Sequence, residues 1–184
     1  PRIYALAVNA VTSIRSPGLP DILHGFRRST ISVADLCEYA VKYFRKASKG
    51  KTSRIEFLTE PIEKRIIGDI NQLRFLLENL IDEALTVHED GILKLHAAED
   101  GNYIRFLFTD TRREKSVDEL NKLFYPNLAR MTSGEKGELR GTEYLICKQI
   151  IRDHDEFAGR RGCRINAEPA QKGGFTVYFT LPKR

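Results

Sequence analysis

Asn79, Glu83 and Thr86 are the first side chains in this sequence that look placed for chemistry. They lie three or four residues apart, opposite the leucines of an apolar-striped segment, so on a helix they project together. An amide, a carboxylate and a hydroxyl on one face suit a polar ligand. They equally suit an ordinary solvated face, so the surrounding sequence has to decide. Cysteine and histidine chemistry is poorly supported. Cys37, Cys147 and Cys163 are odd in number and scattered, which gives neither a disulfide framework nor metal-ligand spacing and points to a reducing compartment. His88 and His96 read as surface or strand-face residues. The balance of 30 Lys+Arg against 25 Asp+Glu leaves a net charge of +5. That surplus suits phosphate groups without implying nucleic acid. The basic stretches 45–54 and 160–164 carry no interleaved aromatics for base stacking.

The elements that must position the polar face come next. The 184 residues are 41% apolar, enough to bury the core of roughly one domain. No apolar run approaches the ~18 residues needed to cross a bilayer, and nothing resembles a signal peptide. Met131 is the only methionine and the chain begins at Pro1, so a piece of a longer protein is expected. Residues 1–31 read as a connector from an upstream helical region, with a short helix over 3–11 broken at Pro17 and Pro20. A first clear helix is predicted after Ser32, an N-cap with Asp35 three residues on, its apolar face running from Val33 to Phe44. Short strands are predicted at 54–57 and 65–67. The strongest helix runs from Ile70 to Leu85 behind Asp69, with Leu73, Leu76, Leu77, Leu80, Ile81 and Ala84 at intervals of three and four. A hairpin over 92–97 and 103–109 follows. Then come a polar stretch with a short helix at 117–124, a mobile segment at 133–137, a helix at 142–152, a loop at 153–162, and strands at 164–167 and 175–181. The order predicts an α/β (α+β) two-layer sandwich, a mixed sheet covered on one face by about three helices.

Several segments carry a common resemblance. Gly68-Asp69 before a helix that reads Asn79-Leu80-Ile81-Asp82-Glu83-Ala84 resembles the Asn-bearing helix of the ATP-binding domain of two-component sensor histidine kinases. The hairpin Gly91-Ile92-Leu93-Lys94-Leu95 and 104–110 is similar to that family's hairpin, which ends in Asp-x-Gly-x-Gly. Tyr144-Leu145-Ile146-Cys147-Lys148-Gln149-Ile150-Ile151 resembles the helix after its glycine-rich lid, and 174–182 its terminal strand. The likeness covers about residues 32–184 in order. It implies the histidine kinase ATPase-like (Bergerat) fold, binding ATP and Mg²⁺ beneath a lid and passing the γ-phosphate to a histidine on a separate helical-hairpin domain. It also implies the partners: an upstream dimerisation and phosphoacceptor domain or a response regulator, in a parent chain that is dimeric. The location it implies is cytoplasmic, with no nucleic acid and no membrane contact by this fragment.

The resemblance assigns residues one by one. Asn79 stands at the first helix asparagine, which holds metal and phosphates, and Asp110 at the aspartate that accepts from the adenine amino group. Glu83 replaces the second asparagine, and Thr86 a basic residue often seen one turn later. Asp110-Thr111-Arg112-Arg113-Glu114 occupies the Asp-x-Gly-x-Gly position without its glycines. Leu139-Arg140-Gly141-Thr142-Glu143 occupies the lid motif, where only Gly141 survives. Phe175 takes the place of a Ser or Thr near the base. The implied nucleotide site is therefore Asn79, Glu83, Asp110, Thr111, Gly141 and Thr142, with Asn79 on the metal. No catalytic residue is assigned. His24 does not fit the acceptor pattern, and His154, in the region of the family's His-Gly-Gly turn, is expected to be structural.

The departures share a direction. Glu83 sets a carboxylate beside the expected phosphates, and like charges ~4 Å apart repel by about 4 kcal/mol at an effective dielectric of 20, a sign that Mg²⁺ would reverse. Arg112 sets a long side chain where backbone would touch the base. Each lost contact is worth roughly 1–3 kcal/mol, so several cost orders of magnitude in affinity. The expectation is a sensor-kinase ATP-binding domain with weakened or lost ATP binding. The alternative is a non-catalytic interaction or regulatory module on the same fold.

Overall fold

Alternating and three-to-four apolar spacing produces the elements largely where expected. The computed structural model describes residues 25–125 and 142–184. The expected helix at 3–11, most of the connector, His24, Gly141 and the segment 133–137 lie outside those residues. The described chain runs β1 (Ser29–Ser32), α1 (Val33–Ala47), β2 (Ile55–Glu60), β3 (Arg65–Gly68), α2 (Ile70–Ala84), β4 (Gly91–Asp100) and β5 (Tyr103–Asp110). It continues with α3 (Val117–Asn121), α4 (Glu143–Phe157), β6 (Ile165–Pro169) and β7 (Phe175–Pro182).

A five-stranded sheet has the order β2-β4-β5-β7-β6. β2 pairs parallel with β4 and every other pairing is antiparallel, so the sheet is mixed. The predicted sandwich is borne out. Two details differ. β1 and β3 form a separate antiparallel pair, Ser29 opposite Gly68, rather than joining the main sheet. β1 itself has no periodicity to announce it; its strand form is imposed by the partner. The expected loop at 153–162 is helical to Phe157, because Ile150, Ile151 and His154 keep the buried stripe going past Arg152.

The core lies between sheet and helices. Leu36, Cys37, Ala40 and Phe44 of α1 pack with Leu73, Leu76, Leu77, Leu80 and Ile81 of α2 and with Leu93, Leu95, Phe106 and Phe179 of the sheet. Each fully buried large side chain contributes about 1.5–3 kcal/mol. Phe106 and Phe179, opposite one another in register, stack at 5.0 Å between centroids. Capping fixes the helix starts. Ser32 Oγ accepts from Asp35 N, as the sequence suggested, and Asp69 Oδ1 accepts from Asn71 N and Gln72 N. Ser116 and Glu119 form a reciprocal capping box that starts α3.

α2 and α4 run antiparallel. His154 Nε2 accepts from Asp69 N at the start of α2, and the Cys147 thiol donates to Leu76 O at its middle. That arrangement brings the N-terminus of α4 beside the C-terminal half of α2, where Asn79 and Glu83 lie.

Candidate functional site

Strand periodicity decides where Asp110 goes. In β5, Ile104, Phe106, Phe108 and Asp110 alternate onto the buried face, so the last of the series aims a carboxylate at the core. A buried carboxylate needs partners, and Arg112, two residues on, supplies them. Its Nε donates to Asp110 Oδ1 at 2.9 Å and its Nη2 to Oδ2 at 2.8 Å. The backbone N–H of Arg112 adds a third bond to Oδ1 at 3.0 Å. The guanidinium also donates to Val87 O at 2.9 Å and to Ala84 O. Those carbonyls lie at and just beyond the C-terminal end of α2, where helical acceptors are left over and the helix dipole is negative. The Arg112 side chain is 0% exposed and that of Asp110 is 5%.

Two glycines make this packing possible. A Cβ on Gly91 would meet Arg112 Cγ at 2.3 Å, so the arginine stem crosses β4 only because Gly91 has none. Gly174 has φ +80°, and a Cβ there would lie 1.9 Å from Asp110 O. In the sequence Gly91 opens the hairpin segment and Gly174 the terminal strand segment; their neighbours are set by sheet register.

A cavity of about 120 Å³ opens beside the pair. Leu80, Phe108, Phe175 and Val177 give it apolar walls, and Glu83, Asp110, Arg113 and Lys115 line it with charge. Sites for drug-sized ligands run from about 300 Å³ upward. Lys115 Nζ sits 5.3 Å from the centre of the Phe175 ring. Arg113 turns outward to Glu89 at 3.1 Å.

The sequence-predicted residues divide. Asp110 and Glu83 meet at this cavity. Asn79 is fully buried; its Nδ2 donates to Phe75 O at 2.7 Å, and its Oδ1 has no hydrogen-bond partner among the described residues. Thr142 is buried and precedes α4 without a side-chain cap bond. Thr111 is exposed, and its hydroxyl accepts from Ile92 N at 3.1 Å and lies 3.2 Å from Ile92 O, so it ties β4 to the end of β5. Gly141 lies outside the described residues. Sequence reading missed Tyr144 and Lys115 as cavity walls and took Arg112 for bulk rather than as the partner of Asp110. The period-two run ending at Asp110 was the available signal, because an inward carboxylate asks for a nearby cation.

Carboxylates gather where α4 packs on α2. Burial pushes the Cys147 thiol well above its usual range, and the carboxylates of Glu143 and Glu83 push it further. One oxygen of Glu143, Oε2, is buried without a hydrogen-bond partner among the described residues. At the other end of α2, His154 is a core residue, as expected. Burial pulls it down to about 4, against a smaller upward effect from Ile150 O and Asp69. Neutral, it stands 2.8 Å from Ile150 O and accepts from Asp69 N. His88 is exposed, and His96 projects from β4 towards Glu60.

Relatives fit this architecture. The sensor kinase BaeS of Escherichia coli is 26% identical over 161 residues, covering 85% of this chain and 32% of BaeS. The chain thus spans about a third of that relative. The catalytic domain of the histidine kinase ThkA superposes with a TM-score of 0.65 at 19% identity, covering 85% of this chain and 96% of that one. ThkA in complex with the response regulator TrrA superposes with a TM-score of 0.67 at 17% identity, covering all of this chain and 48% of the other. Residues 68–184 match the family described as histidine kinase-, DNA gyrase B- and HSP90-like ATPases, and with this fold around them the chain belongs to that family.

Proposed function

We propose that this chain is the C-terminal ATP-binding, catalytic-type domain of a two-component sensor histidine kinase, with ATP binding weakened or lost. The domain is proposed at residues 32–184 with 1–31 as its connector, the last of which, from Ser29, pair with β3 and so belong to the folded unit. The reading rests on one observation above the rest: the carboxylate that would read a base is held by a buried arginine of its own chain.

The two ends of the cleft fit the family's ligand, ATP with Mg²⁺, unequally. Asn79 Oδ1, buried and without a hydrogen-bond partner among the described residues, is a hard oxygen donor suited to Mg²⁺. Glu83 and Thr142 are the candidate phosphate-side residues, together with Gly141 by resemblance, which lies outside the described residues. The base end does not fit. Both oxygens of Asp110 are engaged, and Ala84 and Val87 at the rim spend carbonyl capacity on Arg112. Thr111 is committed to the strand. A base would have to displace a buried ion pair to reach Asp110. The same observation favours a second reading, a non-catalytic docking or regulatory module on this fold.

By resemblance, the partners proposed are an upstream dimerisation and phosphoacceptor domain or a response regulator, within a dimeric, cytoplasmic-side assembly. The complex of ThkA with TrrA supports the second partner class. Among the described residues no helix is long and apolar enough to cross a membrane. Isothermal titration with ATP and Mg²⁺ tests the reading. No heat at millimolar ATP is the expected result. Micromolar binding that Asp110→Asn abolishes would overturn the weakened-binding reading and leave a conventional ATP site.

A further inference from the structure

Arg112 does more than neutralise an acid. Four of the five guanidinium N–H groups are placed: Nε and one Nη2 hydrogen on the two oxygens of Asp110, the other Nη2 hydrogen on Ala84 O, and one Nη1 hydrogen on Val87 O. A carboxylate faces one edge of the planar fork and two helix-end carbonyls face the other. An ammonium could satisfy the charge but not this flat, four-point pattern. The stem is accommodated as closely as the head, because it passes over Gly91 where a Cβ would collide. The three groups that hold the guanidinium, Ala84, Val87 and Asp110, all line the cavity beside it.

We propose that Asp110, Ala84 O and Val87 O form a binding site for a planar guanidinium or amidinium cation, and that Arg112 is its resident, intramolecular ligand. The chain occupies its own cleft. The site ties the C-terminal end of α2 to the end of β5 with no external molecule, and an incoming ligand has access to Asp110 only after the 111–115 segment lifts Arg112 away. The proposal concerns the cleft discussed under Proposed function, but it rests on the hydrogen-bond pattern and not on the affinity for ATP.

The test removes the resident ligand and offers its fragment. In the full chain, Arg112→Ala is expected to lower the Tm by roughly 10 °C, since it leaves a buried carboxylate and two helix-end carbonyls without their cation. Millimolar ethylguanidinium, the severed end of the side chain, is expected to restore most of that loss in a saturable way. Ethylammonium at the same ionic strength is expected to restore little, and the wild type to respond to neither. Equal responses to the two cations, or a wild-type Tm in Arg112→Ala, would overturn the proposal. If Arg112→Ala does not fold alone, refolding it with each cation reads the same question. Native near-UV dichroism with ethylguanidinium alone supports the site, and none with either cation overturns it. Calorimetry with ATP is read separately: tight binding by the wild type would undo the weakened-binding reading while the ethylguanidinium response stood.

Discussion

Helix α2 has a buried aspartate at each end, and the two are stabilised by different means. Asp69, at the N-terminus, accepts from the backbone N–H groups of Asn71, Gln72 and Arg27. Asp110, beside the C-terminus, is held by the guanidinium of Arg112 together with that residue's own N–H. The first arrangement is built from the main chain. It persists in any sequence that keeps the helix and an acceptor at its cap, and the leftover N–H groups of a helix start favour an anion there. The second depends on a single side chain, at the negative end of the helix, where the aspartate on its own would be repelled. One end of α2 is a fastening; the other is a pairing that one substitution undoes. In the proposed site, the end that would admit a ligand is the one held by the replaceable group.

The largest break in that comparison comes from removing Asp110. Asp110→Ala leaves a fully buried guanidinium without its counter-charge, and urea unfolding is expected to register a loss of about 3–5 kcal/mol. The double variant with Arg112→Ala should recover part of it, because no uncompensated charge is left. A loss no greater than that at Asp69 would mean the two ends do not differ.

Next in size is the pH response of the Asp69 end. The folded protein holds His154 neutral, its pKa lowered by burial to about 4 from an ordinary 6.5. The unfolded chain therefore binds the extra proton first as pH falls. His154's contribution is fully present above pH 6.5 and is lost between 6.5 and about 4, by about 3 kcal/mol at the lower end. Urea midpoints measured across that window check it. His154→Gln, which keeps an acceptor for Asp69 N, is expected to flatten the slope. A slope unchanged in that variant would move the pH sensitivity elsewhere.

The smallest effect is at the cap. Asp69→Ala removes one acceptor from three backbone donors near a helix start and is expected to cost about 1–2 kcal/mol, with Asp69→Ser recovering much of it. Recovery by a neutral hydroxyl would sharpen the contrast, since a neutral residue at Asp110 should rescue nothing while Arg112 stays buried.

Much of the framework was legible because local patterns carry it. The spacing of Leu73, Leu76, Leu77, Leu80 and Ile81 implies an amphipathic helix, and the structure buries all five. Asp69 and Ser32 announce caps by residue type and position. The turn residues between 92–97 and 103–109 predict a hairpin, and β4 and β5 pair as one. β1 was not legible, because residues 29–32 are extended only through pairing with β3. The tail of α4 is illegible for a similar reason: His154 is polar in the sequence, yet it is buried by contact with Gly68, Asp69 and Phe26.

By itself, then, the sequence determined the elements, their layers and the residue types at the cleft, because helix and strand periods and capping chemistry act over a few neighbours. The resemblance further implies, as an expectation, that Arg112 and Glu83 stand at positions where that family carries other residue types. Only the tertiary structure decided how those side chains were used. Arg112 and Asp110 are close in sequence, but Ala84, Val87 and Gly91 reach the same guanidinium only after α2 has packed on the sheet and β4 has paired with β5. A buried ion pair is stable only when such distant groups complete its hydrogen bonds, and short-range sequence patterns do not specify which groups meet.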